Sequence, residues 1–441
     1  MPALPLVDIP HPMAGQTKEY VMQIAEKAIP EILRILTGDA TQLEEEHKKK
    51  FVNPPGERRH KGLFGDEFSD EREPEKFQAP SSLEAVQSLF YRKGWTDGLP
   101  VIPPTAERVA LMLEYWNGDP EERVGLVQPR RGEATIRKIA VNAVMAGCRP
   151  EHFPVVVAAT RAMIRPEFGL YGLQTTTHPC TVLVLVNGPL ADFLEINASY
   201  NAMGQGKLAN AVIGRAIRLV LTNIGGGTPG VLDRSTMGSP AKYAFCFAEN
   251  EEENPWHQPL HVERGFPEST STVTVCGVEG PHNVNDHGSR SAEEILQTIG
   301  GVLATPGTNQ LYLGGEPLIA LGPEHAAVIF RGGFSKNDVK RYLFKNARVP
   351  LNRISRGNME RFVKNWPERF KGLAEGDGVP IAEKPEDIMI VVCGGLGRHS
   401  AVIPTFGVTR SVTLSVTDRE GNPIPAERKK PVLDASETCL M

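Results

Sequence analysis

Short apolar runs that alternate with helical patterns are the feature of this sequence that most restricts its fold. The clearest run, Thr181 to Val186, contains no charged residue and ends at the turn residues Asn187-Gly188-Pro189. A continuous apolar run of this length is typical of a strand that is buried on both faces. Further buried strands are predicted at Ser271 to Val278, Pro317 to Leu321 and Ile388 to Cys393. Because helical patterns separate these strands, the chain is predicted to be an α/β protein with mixed sheets and flanking helices.

Three of the flanking helices are predicted before the first strand. Thr105 is a suitable N-cap for a helix that reaches Trp116, because its hydroxyl can accept a hydrogen bond from a backbone amide of the first turn. Two more helices are predicted at 133–147 and 150–164. Glycine and proline, 43 and 36 of 441 residues, are more frequent than in average proteins, so we expect many Gly/Pro-rich loops.

The amino-terminal part of the chain has a different character. Residues 17–36 carry apolar side chains at helical spacing and predict an N-terminal helical arm that ends at Thr37-Gly38-Asp39. Residues 44–76 are densely charged and poor in apolar side chains. We therefore divide the chain into an amino-terminal strand and helix arm (1–40), a charged linker or wrapping arm (41–80), a first α/β region (81–265) and a second α/β region with a C-terminal extension (266–441).

Charge and hydropathy exclude several classes of protein. Lys and Arg number 48 and Asp and Glu number 53, a formal net charge of −5, which disfavours binding to nucleic acid. No apolar run approaches the roughly 20 residues of a membrane span, and the first residues do not form a secretory signal, so we expect a cytoplasmic protein that does not enter the membrane. The six cysteines are scattered without a C-x-x-C pair, which indicates buried, reduced thiols.

A glycine loop before a helix is the first candidate anion site. Gly204 and Gly206 precede a helical pattern that contains Asn210, Arg215 and Arg218. Glycines let backbone amides approach a ligand, and the amino end of a helix favours negative charge. These residues are therefore substrate-binding candidates. The alternative is a glycine loop that enters a packed helix, whose arginines form structural ion pairs.

A second glycine loop follows the predicted strand that ends at Cys393. The pattern Gly394-Gly395-Leu396-Gly397-Arg398-His399-Ser400 is interpreted as a strand, a glycine turn and the start of a helix. Ligands of α/β proteins often bind at the carboxyl ends of the strands. Gly395, Gly397 and Arg398 are therefore substrate-binding candidates, and His399 is a catalytic candidate. Capping of the local backbone is the alternative role for His399.

Carboxylates and histidines elsewhere are candidates for proton transfer and metal binding. Glu249 lies in a cluster of acids, which can raise one another's pKa if they are partly buried. His178 and His282 are the other catalytic candidates, and His282 with His287 is the candidate metal pair. The cofactor stays open, with a divalent metal as the candidate. Exposed acidic turns and Asn/Asp turn chemistry are the alternatives.

Seven segments between residues 82 and 410 resemble a large, poorly characterised bacterial family. Members of this family accompany, or are fused to, UGSC-type thiol or selenol domains. The segments are YRKGWTDGLPVIPPT, AVNAVMAGCRPEHFPVV, NAVIGRAIRLVL, FCFAENEEENPW, PLHVERG, GPEHAAVI and GGLGRHSAVIPTFG. Residues 6–39 resemble the terminal strand, loop and helix of a UGSC-type domain.

The signature of that domain, Cys or selenocysteine followed by Gly-Ser-Cys, does not occur in this sequence. The resemblance therefore implies that the reactive thiol or selenol belongs to a partner subunit onto which the amino-terminal helix docks. It implies a heteromeric enzyme, with oxidoreductase or lyase chemistry favoured, that acts on a small anionic substrate by nucleophilic or reductive chemistry. One alternative for the arm is an orphan fragment of a split coding sequence. Two alternatives for function are a self-sufficient metal-dependent lyase or hydrolase and a non-catalytic binding or scaffold subunit.

Overall fold

The computed structural model describes residues 18–39, 41–43, 77–370, 372–373, 376, 378–407, 409–418 and 421–424. These residues fall into two compact units, an amino-terminal unit and a main unit that begins before residue 77. In the amino-terminal unit, helix α1 (Lys18–Thr37) confirms the predicted helix. Most of the predicted linker, and the C-terminal extension beyond residue 424, lie outside the described residues.

The main unit opens with helices and one hairpin. In chain order these are α2 (Leu83–Arg92), α3 (Ala106–Trp116), β1 (Arg123–Val127), β2 (Gly132–Thr135), α4 (Ile136–Ala146), α5 (Phe153–Met163) and α6 (Leu170–Thr175). The hydroxyl of Thr105 accepts a hydrogen bond from the amide of Arg108, which confirms the predicted N-cap. The prediction of a helix from residue 133 is wrong at its start, because β2 pairs with β1 and Thr135 caps α4.

The remaining elements build the sheets and their helices. In chain order they are β3 (Thr181–Asn187), α7 (Pro189–Phe193), α8 (Leu208–Asn223), β4 (Cys246–Ala248), α9 (Leu260–Glu263), β5 (Thr272–Val278), β6 (His282–Asn285), α10 (Ala292–Leu303), α11 (Gln310–Leu313), β7 (Leu318–Leu321), α12 (Pro323–Arg331), α13 (Lys336–Asn346), β8 (Arg348–Val349), α14 (Arg356–Asn365), α15 (Pro367–Phe370), β9 (Val379–Pro380), β10 (Met389–Val392), β11 (His399–Ile403) and β12 (Val412–Ser415).

Two four-stranded mixed sheets have the same succession of strand directions. In sheet I the order is β4-β3-β5-β12, and in sheet II it is β10-β7-β11-β6. In each sheet the first pair is parallel and the next two pairs are antiparallel. The mixed α/β architecture predicted from the apolar runs is confirmed.

The side chains of the strands alternate between two cores, as the period of a β-strand requires. Leu183 and Leu185 of β3 contribute to a core that also contains Leu318 of β7 and Val391 of β10. The other face of sheet I packs on α4, α5 and α8, and the other face of sheet II packs on α10, α12 and α13. The main unit therefore has four layers, with the two sheets in the middle and helices on both outer sides.

The main unit can be divided after β6 into a first half, which contains β1 to β6, and a second half, which contains β7 to β12. Each half supplies one edge strand to the sheet that is built mainly by the other half. After β5, the chain passes directly to β6, which is an edge strand of sheet II. After β11, it passes to β12, which is an edge strand of sheet I. The boundary predicted between residues 265 and 266 therefore does not separate two sheets, because strands from both predicted regions pair in sheet I.

Candidate functional site

A cavity of about 350 Å³ lies beside helix α8. It is lined by the 94–97 segment, by α8 and by the loop that leads from α8 to β4. Its charged lining residues are Asp97, Arg218, Asp233 and Lys242. We call it the α8 cavity.

Glycines after α8 bring the loop close to the helix. The amides of Gly225 and Gly227 donate to the carbonyls of Val220 and Leu221, which closes the carboxyl end of the helix. A Cβ atom at Gly227 would lie only 2.6 Å from the side-chain oxygen of Gln174. Gly227 is therefore needed for this approach, and Gln174 in turn accepts a hydrogen bond from Arg218.

Arg218 is the most informative residue of the α8 cavity. It is only 8% exposed, and its guanidinium donates to the carbonyl of Lys242 (2.8 Å), to Thr181 Oγ1 (3.1 Å) and to Gln174 Oε1 (3.5 Å). All three acceptors are neutral, and no carboxylate among the described residues forms an ion pair with Arg218. Burial lowers the pKa of Arg218, but a guanidinium keeps its charge in proteins. Among the described residues, the buried cation thus has no direct ion-pair partner: Asp233 and Asp97 act on it only at longer range, and a bound anion would supply a direct contact.

Lys242 and two neighbours form a polar cluster in the same cavity. Lys242 Nζ lies 2.6 Å from Asp233 Oδ2 and donates to Ser235 Oγ at 2.9 Å. The hydroxyl of Ser235 donates to the carbonyl of His178 at 2.6 Å. Burial lowers the pKa of Lys242, and the hydrogen bond to Asp233 opposes this effect. The cluster places a lysine and a hydroxyl where they can exchange a proton with a bound molecule.

The predicted ligands Asn210 and Arg215 have structural roles. Asn210 is buried, accepts from the amide of Asn197 and donates to the carbonyls of Ala202 and Cys246. Arg215 forms two 2.8 Å hydrogen bonds with the carboxylate of Asp97. All polar groups of Asn210 are therefore engaged by the protein, and Arg215 positions the Asp97 segment of the cavity wall, as the alternative interpretation of this helix expected.

Glu249 is buried in a junction between the two sheets. It lines neither the α8 cavity nor a second cleft at the carboxyl end of β10. Its carboxylate accepts hydrogen bonds from Asn187 Nδ2 and the amide of Leu260, both at 2.8 Å, and from Asn254 Nδ2 at 3.2 Å. Lys336 Nζ lies 3.7 Å away. Burial raises the pKa of Glu249, and the ammonium of Lys336 opposes this effect. The predicted catalytic role has no structural support, because substrate has no path to a carboxylate enclosed by its own partners.

His178 lies next to the α8 cavity without lining it. Its Nε2 atom is 3.0 Å from Glu279 Oε1, and its buried Nδ1 atom has no hydrogen-bond partner among the described residues. The ring packs against Phe406. His178 contacts the cavity only through its carbonyl, which accepts the hydrogen bond from Ser235.

A second cleft, of about 280 Å³, lies at the carboxyl end of β10. Gly395, Gly397 and His399 line it together with Tyr200, so the structure brings three of the predicted residues together. A Cβ atom at Gly395 would lie 2.3 Å from the ring of Tyr200, which shows that this ring packs on the glycine backbone. We call this cavity the β10 cleft.

The prediction that a helix starts after Gly397 is wrong. Residues His399–Ile403 form strand β11, because Ala401, Val402 and Ile403 pair with β7 while the other edge of the strand pairs with β6. Arg398 does not line the cleft: its Nη1 donates to the carbonyls of His287 and Ser289.

The first glycine loop is adjacent to the β10 cleft but is not part of its lining. Met203 lines the cleft, and Gly204 follows it in the chain. A Cβ atom at Gly204 would meet the side chain of Asn201 at 2.3 Å, whereas nothing lies within 4 Å of a Cβ at Gly206. The loop therefore wraps around Asn201.

The predicted metal pair is separated in the structure. His282, on β6, pairs with Val402 of β11, and its Nδ1 contacts the carbonyl of Asn283. His287 instead meets His399, with 3.2 Å between their Nε2 atoms. Within the part of the chain that the structure describes, no group of three His, Cys, Asp or Glu side chains could hold a metal ion.

Sequence reasoning missed Asp233, Ser235 and Lys242. They lie in the aperiodic segment between α8 and β4, for which the sequence pattern predicts no site. A long ordered loop without regular structure in a compact domain often carries function. That length was the available signal.

No helix among the described residues is long and apolar enough to cross a membrane. A scan against protein-family models, a search of curated proteins and a search of solved structures find no significant match to this chain.

Proposed function

We propose that this chain is the substrate-binding subunit of a heteromeric enzyme that acts on a small anionic organic molecule. The observation that carries the proposal is the buried guanidinium of Arg218, which lines the α8 cavity and has only neutral acceptors. A carboxylate or phosphate in the cavity would provide its counter-ion. Lys242 and Ser235, 2.9 Å apart, would supply or accept a proton next to the bound anion.

The cysteines support a reactive thiol or selenol that comes from a partner. Five cysteines lie in the described residues, and all five are buried. Burial raises the pKa of Cys180, Cys276 and Cys393 to about 12, so these thiols are protonated at neutral pH and are poor nucleophiles. A UGSC-type subunit would supply the thiolate or selenolate for nucleophilic or reductive chemistry. In this proposal the enzyme works in the cytoplasm, where thiols stay reduced.

Helix α1 is the segment that we propose docks onto this partner. Met22, Ile29, Leu33 and Leu36 are exposed apolar side chains on it, and Leu36 is 75% exposed. A single amphipathic helix of this length is marginal in water unless its apolar side chains pack against another surface. The resemblance of residues 6–39 to the end of a UGSC-type domain names the candidate surface.

Calorimetric titration with succinate and inorganic phosphate tests the anion site. Binding by the wild type should weaken at least tenfold in Arg218→Gln, because a charge-assisted hydrogen bond contributes about 1.5–3 kcal/mol. Arg218→Lys, which keeps the positive charge but loses the planar guanidinium group with its several N–H donors, should bind with intermediate affinity. Arg356→Gln is the matched control, since Arg356 is an exposed helix residue. Equal affinities in wild type and Arg218→Gln, with both proteins folded by circular dichroism, would refute the site.

Native mass spectrometry of the protein purified from its own host tests the partner. The expected species contains this chain and a protein with Cys-Gly-Ser-Cys or selenocysteine-Gly-Ser-Cys. Deletion of residues 1–40 should abolish that species and leave the main unit folded. A complex that survives the deletion would contradict the docking role of α1, and full turnover by the isolated chain would contradict the need for a partner.

One observation favours the metal-dependent lyase or hydrolase as a second candidate. The imidazoles of His287 and His399 face each other through their Nε2 atoms at the β10 cleft. Turnover that is lost after dialysis against a chelator, and restored by zinc without a partner, would select this function over the first.

A further inference from the structure

Two histidines from separate segments meet beside the β10 cleft. His287 follows β6, His399 begins β11, and their Nε2 atoms are 3.2 Å apart with the rings almost perpendicular, at 81°. Two nitrogens that each lie about 2.05 Å from a tetrahedral zinc ion are about 3.3 Å from each other. The pair therefore already has the separation of two ligands on one metal ion.

The surroundings of His399 favour the tautomer that a metal requires. His399 Nδ1 lies 3.1 Å from the side-chain oxygen of Asn283, as the amide is assigned. An oxygen in this position accepts a hydrogen bond from Nδ1–H, which leaves the lone pair of a neutral imidazole on Nε2. Histidine ligands of metals are commonly oriented by such a hydrogen bond on the second nitrogen.

Both histidines are attached to a backbone that many hydrogen bonds hold in place. The carboxylate of Glu324 accepts from the amides of Gly397 and Arg398 just before His399. Arg398 donates to the carbonyl of His287 and has a positive φ of 52°. Non-glycine residues in this conformation are uncommon and concentrate at functional sites.

A buried histidine connects the same two segments. His325 contacts Ser400 Oγ through Nδ1 at 2.8 Å and the carbonyl of Asp286 through Nε2 at 3.1 Å. These residues are the chain neighbours of His399 and His287. The fold beneath the two exposed imidazoles therefore holds together the two backbone segments that carry them.

We propose that His287 and His399 bind a divalent transition metal ion, with zinc as the first candidate, at the mouth of the β10 cleft. Zinc takes four ligands in most sites, so two positions stay open for water and for an oxygen of a small molecule in the cleft. His399 itself lines that cleft. This site is separate from Arg218 and from the anion-binding proposal, and it is the site on which the metal-dependent second candidate rests.

Titration of the full chain with zinc, followed by calorimetry, measures the site. We expect one class of binding that weakens at least tenfold in His287→Ala and in His399→Ala. Asn283→Ala should weaken it by roughly tenfold, as the loss of an orienting hydrogen bond does in other metal sites. With copper(II), the electron paramagnetic resonance spectrum of the wild type should show two coordinated imidazole nitrogens, and each histidine variant should lose one of them.

His282→Ala is the matched control, because His282 is exposed on β6, the strand that precedes His287, and its ring contacts the carbonyl of Asn283 rather than either histidine of the pair. It should bind zinc as the wild type does. The histidines outside the site contribute equally to every variant, and a thermal melt establishes that each variant is folded. Wild type that binds no zinc, or variants His287→Ala and His399→Ala that keep the wild-type affinity and spectrum, would overturn the proposal and leave an imidazole–imidazole hydrogen bond as the reason for the contact.

Discussion

The carboxyl ends of β4 and β10 occupy equivalent positions in two sheets of the same topology, yet they differ in accessibility. After β4, Glu249 fills the space and binds Asn187, Asn254 and the amide of Leu260. After β10, the glycines of the 394–397 segment leave a cleft. Topology therefore defines where a site can form, whereas the side chains that follow each strand decide whether the position is closed or open.

Removal of the Glu249 carboxylate, which fills the space after β4, should have the largest effect on stability. Glu249→Ala removes one of the two carboxylates near the buried Lys336, Glu263 being the other, and leaves several donors unsatisfied, which should lower the free energy of unfolding by about 3–5 kcal/mol. Urea denaturation measures this loss. Glu252→Ala, on an exposed residue three positions away, should change it by less than about 0.5 kcal/mol. Similar values for the two variants would mean that the junction is not a closed structural network.

Glycines that follow the central strands should be required equally in both halves. A Cβ atom would lie 2.6 Å from the carbonyl oxygen of Thr270 at Gly188 and 2.1 Å from that of His399 at Gly322. Gly188→Ala and Gly322→Ala should each destabilise by about 1–3 kcal/mol, measured by the denaturation midpoint. Gly301→Ala is the control, because nothing lies within 4 Å of its Cβ position in α10, and it should stabilise by about 0.5–1 kcal/mol. A neutral effect at only one of the two positions would break the equivalence of the halves.

Thiol reactivity should not differ between the half that contains the β10 cleft and the half in which Glu249 fills the equivalent space after β4. Cys393 lines the β10 cleft, yet burial raises its pKa to about 12, and Cys246 is buried at the start of β4. In a Cys439→Ser variant we expect no reaction of the native chain with a disulfide reagent at pH 8. All five described cysteines should react after denaturation. Rapid labelling of Cys393 in the native chain would show that this half carries a reactive thiol of its own.

The smallest expected effect is a pKa change at the N-cap of α13. Lys336, which lies near Glu249, is the first residue of this helix. Hydrogen bonds from Ser335 and the proximity of Arg341 lower the pKa of Asp338 from 3.8 to about 2. A depressed pKa means that this ionisation stabilises the fold above pH 3.8 and that the contribution disappears as the pH falls through about 2. In Ser335→Ala the pKa should rise toward 3.8, which NMR titration measures. An unchanged pKa would assign the depression to Arg341 and to the backbone amide at position 335, which the variant keeps.

The strands that could be predicted are those that form uninterrupted apolar runs. β3, β5, β7 and β10 are buried throughout, so the sequence pattern alone identifies them. β6, with the sequence HNVN, has only Val284 buried, and β11 follows a glycine turn that also fits a helix start. Their place in sheet II depends on pairing with distant strands, which local pattern does not contain.

Site prediction had the same limit. Arg218 was a candidate because it lies on a helix after a glycine loop, but the geometry separates it from Asn210 and Arg215, which the protein itself engages. Asp233 and Lys242 meet through a loop without periodicity, and their ion pair exists only after that loop folds. His399 was predicted only as a catalytic candidate, and the predicted metal pair was His282 with His287. The pairing of β6 with β11 instead brings His287 next to His399.

The proposed class of substrate requires a bound anion beside the buried guanidinium of Arg218. A crystal soaked in bromide, with anomalous diffraction data, locates bound anions directly. We expect a bromide peak within hydrogen-bond distance of the Arg218 guanidinium in the α8 cavity, and no such peak in Arg218→Gln. Bromide peaks elsewhere on the protein, with none in that cavity, would contradict the assignment of an anion site and with it the proposed class of substrate.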